Sequence, residues 1–141
     1  MGERLYVGID LGTYQSTIAS SAGSMETIET VVGRPKDPIA RNMLKRDVLF
    51  GNEALQNKMS CNLYRPMAAG VAQDDEANLA AAKAFVTHLI ESVGPEEYDE
   101  VFGVICSPSH VSFTDKSNLV ATLRGQVNAC LLYTSPSPRD S

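Results

Sequence analysis

The spacing of apolar residues changes twice along this chain, and each change marks a boundary between kinds of element. Residues 5–10 (Leu-Tyr-Val-Gly-Ile-Asp) are apolar almost throughout and predict a strand buried at the centre of a sheet. Residues 12–15 carry turn chemistry, residues 16–20 predict a second strand, and Ala22-Gly23-Ser24 a second turn. Residues 26–32, β-branched and partly alternating, predict a third strand. Short connections between the three predict an antiparallel meander. Gly33-Arg34-Pro35-Lys36-Asp37-Pro38 then breaks the pattern. Residues 39–46 leave their period open, residues 47–51 predict a short strand with Asn52 capping a turn of helix, and residues 57–72 read as irregular. From 75 to 93 the period becomes helical: Leu79, Ala82, Val86, Leu89 and Val93 recur at steps of three and four, widened by Phe85 and Ile90. Asp74, Asp75 and Glu76 suit the amino end of that helix, and Gly94-Pro95 stops it. Residues 101–106 predict a buried strand parallel to the first. Ser112-Phe-Thr-Asp115 has the form of a capping box before a last helix carrying Leu119, Val120, Leu123 and Val127. The order is three strands, a polar insert, helix, strand, helix: an α/β unit.

Composition narrows the class without redirecting it. The 141 residues, 43% hydrophobic and 21% charged, fit one domain of ordinary size. A net charge of −5 argues against broad nucleic-acid binding. No run of apolar residues reaches membrane-spanning length, and Met1-Gly2-Glu3-Arg4 opens no signal peptide, so a cytoplasmic protein is expected. Cys61, Cys106 and Cys130 lack metal-ligand spacing and read as free thiols. The last twelve residues, from Cys130 to Ser141, change character. The string Cys130-Leu-Leu-Tyr-Thr-Ser-Pro-Ser-Pro-Arg-Asp140 closely resembles the translation of a transposase-type sequencing-library adapter. The expected division is therefore a truncated domain over 1–129, with its insert at about 33–70, and a non-native tail over 130–141.

Candidate chemistry concentrates at the end of the first strand. A carboxylate there, Asp10, is costly to bury unless a cation offsets it, and hydrated Mg²⁺ binds through one or two carboxylates plus phosphate oxygens. Gly12 lets backbone approach a phosphate closely. The amides of Gly12, Thr13, Tyr14 and Gln15 could form an anion-binding concavity, with the Thr13 hydroxyl as a further donor. An ordinary β-turn explains the same residues. Neither a Walker A loop nor a GxGxxG fingerprint is present.

The segment Tyr6-Val-Gly-Ile-Asp10-Leu-Gly-Thr13 resembles the first phosphate loop of the actin, Hsp70 and sugar-kinase superfamily. Four further segments, in the expected order, are similar to stretches of actin-like proteins: Val31-Val-Gly-Arg-Pro-Lys36, Phe50-Gly-Asn-Glu-Ala54, Tyr64-Arg-Pro-Met67 with Gly70-Val71, and Val104-Ile-Cys-Ser-Pro108. The combined wording is most similar to the bacterial actins of the MamK type, filament proteins that organise magnetosomes, with the MreB type next. The resemblance implies a ribonuclease-H-like β-β-β-α-β-α unit with a small insert, the amino-terminal subdomain of an actin-like ATPase. It implies ATP and Mg²⁺ as cofactors, with Asp10 holding the metal through water and Gly12, Thr13, Tyr14 and Gln15 contacting phosphate. Tyr14-Gln15 departs from the usual wording there. The resemblance further implies self-association into filaments, no nucleic-acid partner, and membrane contact only indirectly. The catalytic carboxylate, the second phosphate loop and the adenosine segment of such proteins lie beyond residue 129, so no catalytic residue is expected in this chain. An Hsp70-type chaperone or a sugar-kinase-type ATPase is the alternative.

Other polar residues have plainer readings. His88 belongs to a helix face, and His110 follows a strand with no evident partner. Cys106 packs as a small apolar group. Asp115 and Glu91 suit a cap and a solvated helix face. Arg41, Lys45 and Arg46 make a basic spot in the insert.

Overall fold

In the computed structural model, residues 3–67, 76–107, 121 and 129–134 are described. Among the described residues, eight strands fall into two sheets: β1 (Arg4–Leu11), β2 (Gln15–Ser20), β3 (Met25–Glu29), β4 (Val32–Pro35), β5 (Leu49–Phe50), β6 (Cys61–Tyr64), β7 (Glu100–Ser107) and β8 (Ala129–Thr134). Helices α1 (Pro38–Leu44) and α2 (Asn52–Gln56) lie within the insert, and α3 (Glu76–Glu91) links it to β7. The larger sheet has the order β3-β2-β1-β7-β8 and the smaller β5-β4-β6. As the sequence predicts, β1–β2–β3 is an antiparallel meander, and β7 lies parallel to β1 with Asp10 level with Cys106.

Strand β1 is central, yet it is not buried on both faces. Its exposure alternates strictly, with Leu5, Val7, Ile9 and Leu11 inward and Arg4, Tyr6, Gly8 and Asp10 outward. The inward row packs with Ile18, Val101 and Ile105 against Ala82, Phe85, Val86, Leu89 and Ile90 of α3. Tyr6 and Gly8 make the sequence look continuously apolar, but apolar residues also form much of any protein surface. Helix α3 buries the stripe Asn78, Ala81/Ala82, Phe85/Val86, Leu89/Ile90, so Asn78 takes the inward place expected for Leu79. Gly94, at φ 66°, turns the chain out of the helix end.

The insert is more regular than predicted. The Gly33–Pro35 break is strand β4, whose partners β5 and β6 flank it. Residues 61–64, expected to be irregular, are β6; the pairing that makes them a strand comes from residues 32–35, outside any local window. Of the stretch 39–46, residues up to Leu44 belong to α1, capped by Asp37, whose carboxylate accepts from the Ala40 amide at 2.8 Å. Asn52 is not a cap: it begins α2, and Gly51 occupies the cap without a side-chain bond. A second small core of Val31, Leu49, Ala54 and Cys61 fills the insert.

The backbone of residues 129–134 adds a parallel strand, β8, to the edge of β7. Gly70-Val71, Asp74, Asp75, His110, the Ser112–Asp115 capping box and the last helix lie outside the described residues.

Candidate functional site

The turn from β1 to β2 stands at the carboxyl end of the parallel β1–β7 pair, the edge where α/β sheets place ligands. Leu11 and Ser16 face each other as the last paired residues, leaving Gly12, Thr13, Tyr14 and Gln15 between them. Gly12 is required by close approach: a Cβ there would collide with the Gln15 carbonyl. Among the described residues, the amides of Gly12 and Thr13 donate no hydrogen bond. Tyr14 projects outward at 66% exposure. The turn therefore has unspent backbone donors at its tip, which is what an anion-binding concavity needs.

Asp10 is also on the outer face and exposed. The argument that a buried acid requires a cation does not hold within this chain, because the outward phase of β1 keeps the carboxylate in solvent. The structure brings Asp10, Gly12, Thr13, Tyr14 and Gln15 to one edge, with Asp10 opposite Thr17 on β2 and beside Cys106 on β7. Burial, and then the Asp10 charge, push the Cys106 thiol up, so it is a poor thiolate. Gln15 turns away from the tip: its Nε2 donates to Glu29 Oε1 at 3.1 Å. A side-chain role for Gln15 at a phosphate is thus weakened, while its backbone stays in the turn.

Behind the turn lies a feature that the sequence reading missed. Ser16 Oγ and Thr30 Oγ1 are 2.6 Å apart and both residues are buried, at 1% and 0% exposure. The Thr30 amide donates to the Tyr14 carbonyl at 2.8 Å. The signal available was phase: Ser16 shares the inward face with Ile18, so its hydroxyl must find a partner. Ser107, at the end of β7, is buried with its hydroxyl unpartnered among the described residues.

No group of three or more His, Cys, Asp or Glu among the described residues could hold a metal ion. A lone open carboxylate fits a cation that arrives with phosphate oxygens and keeps its waters, and does not fit an all-protein metal cage. Cys61 and Cys106 are free. His88 is stacked on Phe50, with ring centroids 4.2 Å apart. No helix among the described residues is long and apolar enough to cross a membrane.

No family model matches the chain. It is 31% identical over 134 residues to the actin-like protein MamK of Paramagnetospirillum magneticum, covering 94% of this chain and 39% of that protein. The MamK of Magnetospirillum gryphiswaldense is also 31% identical over 134 residues, covering 94% and 37%. Among solved structures, a non-polymerising MamK variant bound to AMPPNP superposes with a TM-score of 0.85 at 30% identity, covering 96% of this chain and 42% of that one. A MamK double helical filament gives 0.84 at 30% identity, covering 94% and 41%. MreB5 of Spiroplasma citri bound to ADP gives 0.64 at 16% identity, covering 94% and 38%, a likeness of fold alone. The chain spans about two fifths of the length of the relatives it matches.

Proposed function

Starting from its place among the actin-like proteins of the bacterial MamK and MreB type, we propose that this chain is the amino-terminal nucleotide-binding part of an ATP-dependent cytoskeletal filament protein. The observation that carries the reading is the turn at Gly12 and Thr13, whose amides are unspent beside the open carboxylate of Asp10. A relative superposing at a TM-score of 0.85 is bound to AMPPNP, a nucleotide triphosphate analogue.

In this reading the amides of Gly12, Thr13 and Tyr14 grip the terminal phosphates, and the Thr13 hydroxyl adds a donor. Asp10 would hold Mg²⁺ through water, and the ion would supply charge neutralisation of the phosphates. The sheet edge fixes the turn, so the donors are in place before the anion arrives and cost little to organise. Filament formation belongs to the longer protein, as does catalysis; magnetosome organisation in the cytoplasm is the role that the MamK likeness favours. The chaperone and sugar-kinase alternatives draw no support from these relatives. This chain alone forms one side of a nucleotide site, so binding without turnover is expected.

The test is a titration of the isotope-labelled chain with MgATP, MgADP and AMP, following the Gly12 and Thr13 amide resonances. Shifts that saturate with MgATP, more weakly with MgADP and hardly with AMP support the reading. Shifts equal for ATP and AMP, or none at all, overturn it.

A further inference from the structure

We propose that Thr30 is a positioning residue for the phosphate-binding turn and the post that joins this turn to the insert. The proposal deepens the nucleotide reading above and rests on it for the purpose of the turn.

Thr30 occupies the corner where the chain leaves the large sheet at β3 and enters the small sheet at β4. It touches the turn twice. Its amide donates to the Tyr14 carbonyl at 2.8 Å, and its hydroxyl shares a 2.6 Å hydrogen bond with Ser16. The first contact has a direct use. A loop that binds anions must point N–H groups at the ligand and keep carbonyl oxygens away from it. A carbonyl that already accepts from Thr30 is held on the back of the turn. The second contact locks the first, because both hydroxyls are buried and separating them would leave each without a partner.

The same corner is fastened to the insert. The Val31 amide donates to the Glu29 carbonyl at 2.9 Å, and the Gly51 amide donates to the Val31 carbonyl at 2.9 Å. Gly51, at φ 63°, sits so close to Ile28 that a Cβ would collide with that side chain. Gln15 adds an outer tie to Glu29. A displacement at Tyr14 is therefore passed through Thr30 and Val31 to Gly51, the residue that caps α2. A satisfied hydroxyl pair with no such duty would stabilise the whole sheet alike; a positioning post would protect the turn and Gly51 together and the rest of the sheet little.

That contrast defines the experiment: amide hydrogen exchange by NMR on the 141-residue chain, without ligand, for wild type, Thr30→Val, Thr30→Ser and Ser16→Ala. Thr30→Val keeps shape and removes the hydroxyl. Loss of one buried hydrogen bond predicts exchange about tenfold faster at the Thr30 and Gly51 amides, with Val7 and Ile105 within about twofold of wild type. Ser16→Ala should reproduce this pattern, and Thr30→Ser should restore protection. Unchanged exchange at Gly51, a uniform rise through the sheet, or Thr30→Ser behaving like Thr30→Val overturns the proposal. If Thr30→Val does not fold, the Ser16→Ala and Thr30→Ser pair decides by the same criteria. A parallel MgATP titration separates the two readings. A wild-type chain that ignores MgATP defeats the nucleotide reading, while the ligand-free exchange pattern still decides whether Thr30 links turn and insert.

Discussion

Single atoms decide much of what happens at the β1–β2 turn. Gly12 is irreplaceable because of the Gln15 carbonyl, a constraint of approach, since no unusual backbone angle is recorded there. Gly51 is constrained twice, by φ 63° with ψ −136° and by the Ile28 side chain. Gly51→Ala should therefore cost about 1–3 kcal/mol, read as a lower urea midpoint with unchanged slope. Asp10 is the opposite case. It is exposed and accepts no recorded side-chain hydrogen bond among the described residues, so Asp10→Asn should leave stability within about 0.5 kcal/mol of wild type. The same change should weaken MgATP binding and leave metal-free ATP binding nearly untouched. Calorimetric titration with and without Mg²⁺ checks this, and equal losses in both would remove Asp10 from the metal's neighbourhood. The sequence singled out Asp10 by arguing from burial, and the carboxylate is in solvent. What a sequence cannot carry is which face of an apolar run is covered.

Elements were legible where their signal is local. Helix α3 follows from its period, and β1 and β7 from short apolar runs bounded by turns. Strands β4 and β6 were not legible, because Gly33, Pro35 and the Cys-Asn-Leu-Tyr segment become a sheet only by pairing across more than twenty residues. The link between α3 and the insert was equally hidden. His88 is half-buried and stacks on Phe50 of β5, which also packs on Phe85 at 6.5 Å between centroids. Burial first, then the nearby Arg46 cation, hold the His88 imidazole below its usual pKa, against the opposing pull of Glu91, Glu26 and Glu53. The folded protein thus favours neutral His88 more than the unfolded chain does. Its contribution to stability is complete above the ordinary histidine value, about 6.5, and is lost as pH falls from there through the depressed folded value. Melting temperature should drop across that window in wild type and drop less in His88→Leu. Parallel pH profiles for the two proteins would show that another group is responsible.

At the scale of the whole molecule, the two faces of the large sheet differ in kind. The inner face is sealed by α3, while the outer face carries Tyr6 stacked on Phe102 at 5.4 Å, with Met25 and Val104 exposed at 71% and 39%. Register puts Tyr6 level with Phe102, and Gly8 level with Val104 and Ala19, so these residues form one continuous apolar strip across β2, β1 and β7. Such strips rarely stay bare in water. The chain covers only about two fifths of the relatives' length. Held alone, the 141-residue chain should associate through it. Sedimentation velocity over rising concentration should show species larger than a monomer. Val104→Lys, which puts a charge in the middle of the strip, should return the chain to monomer at the same concentrations. Because Val104 contributes nothing to the inner core, this substitution should leave the melting temperature nearly unchanged, and that pairing of results matters. A monomer obtained together with a collapse in melting temperature would mean that Val104 supports the fold; a wild-type chain monomeric at every concentration would mean that the strip is too small to drive association.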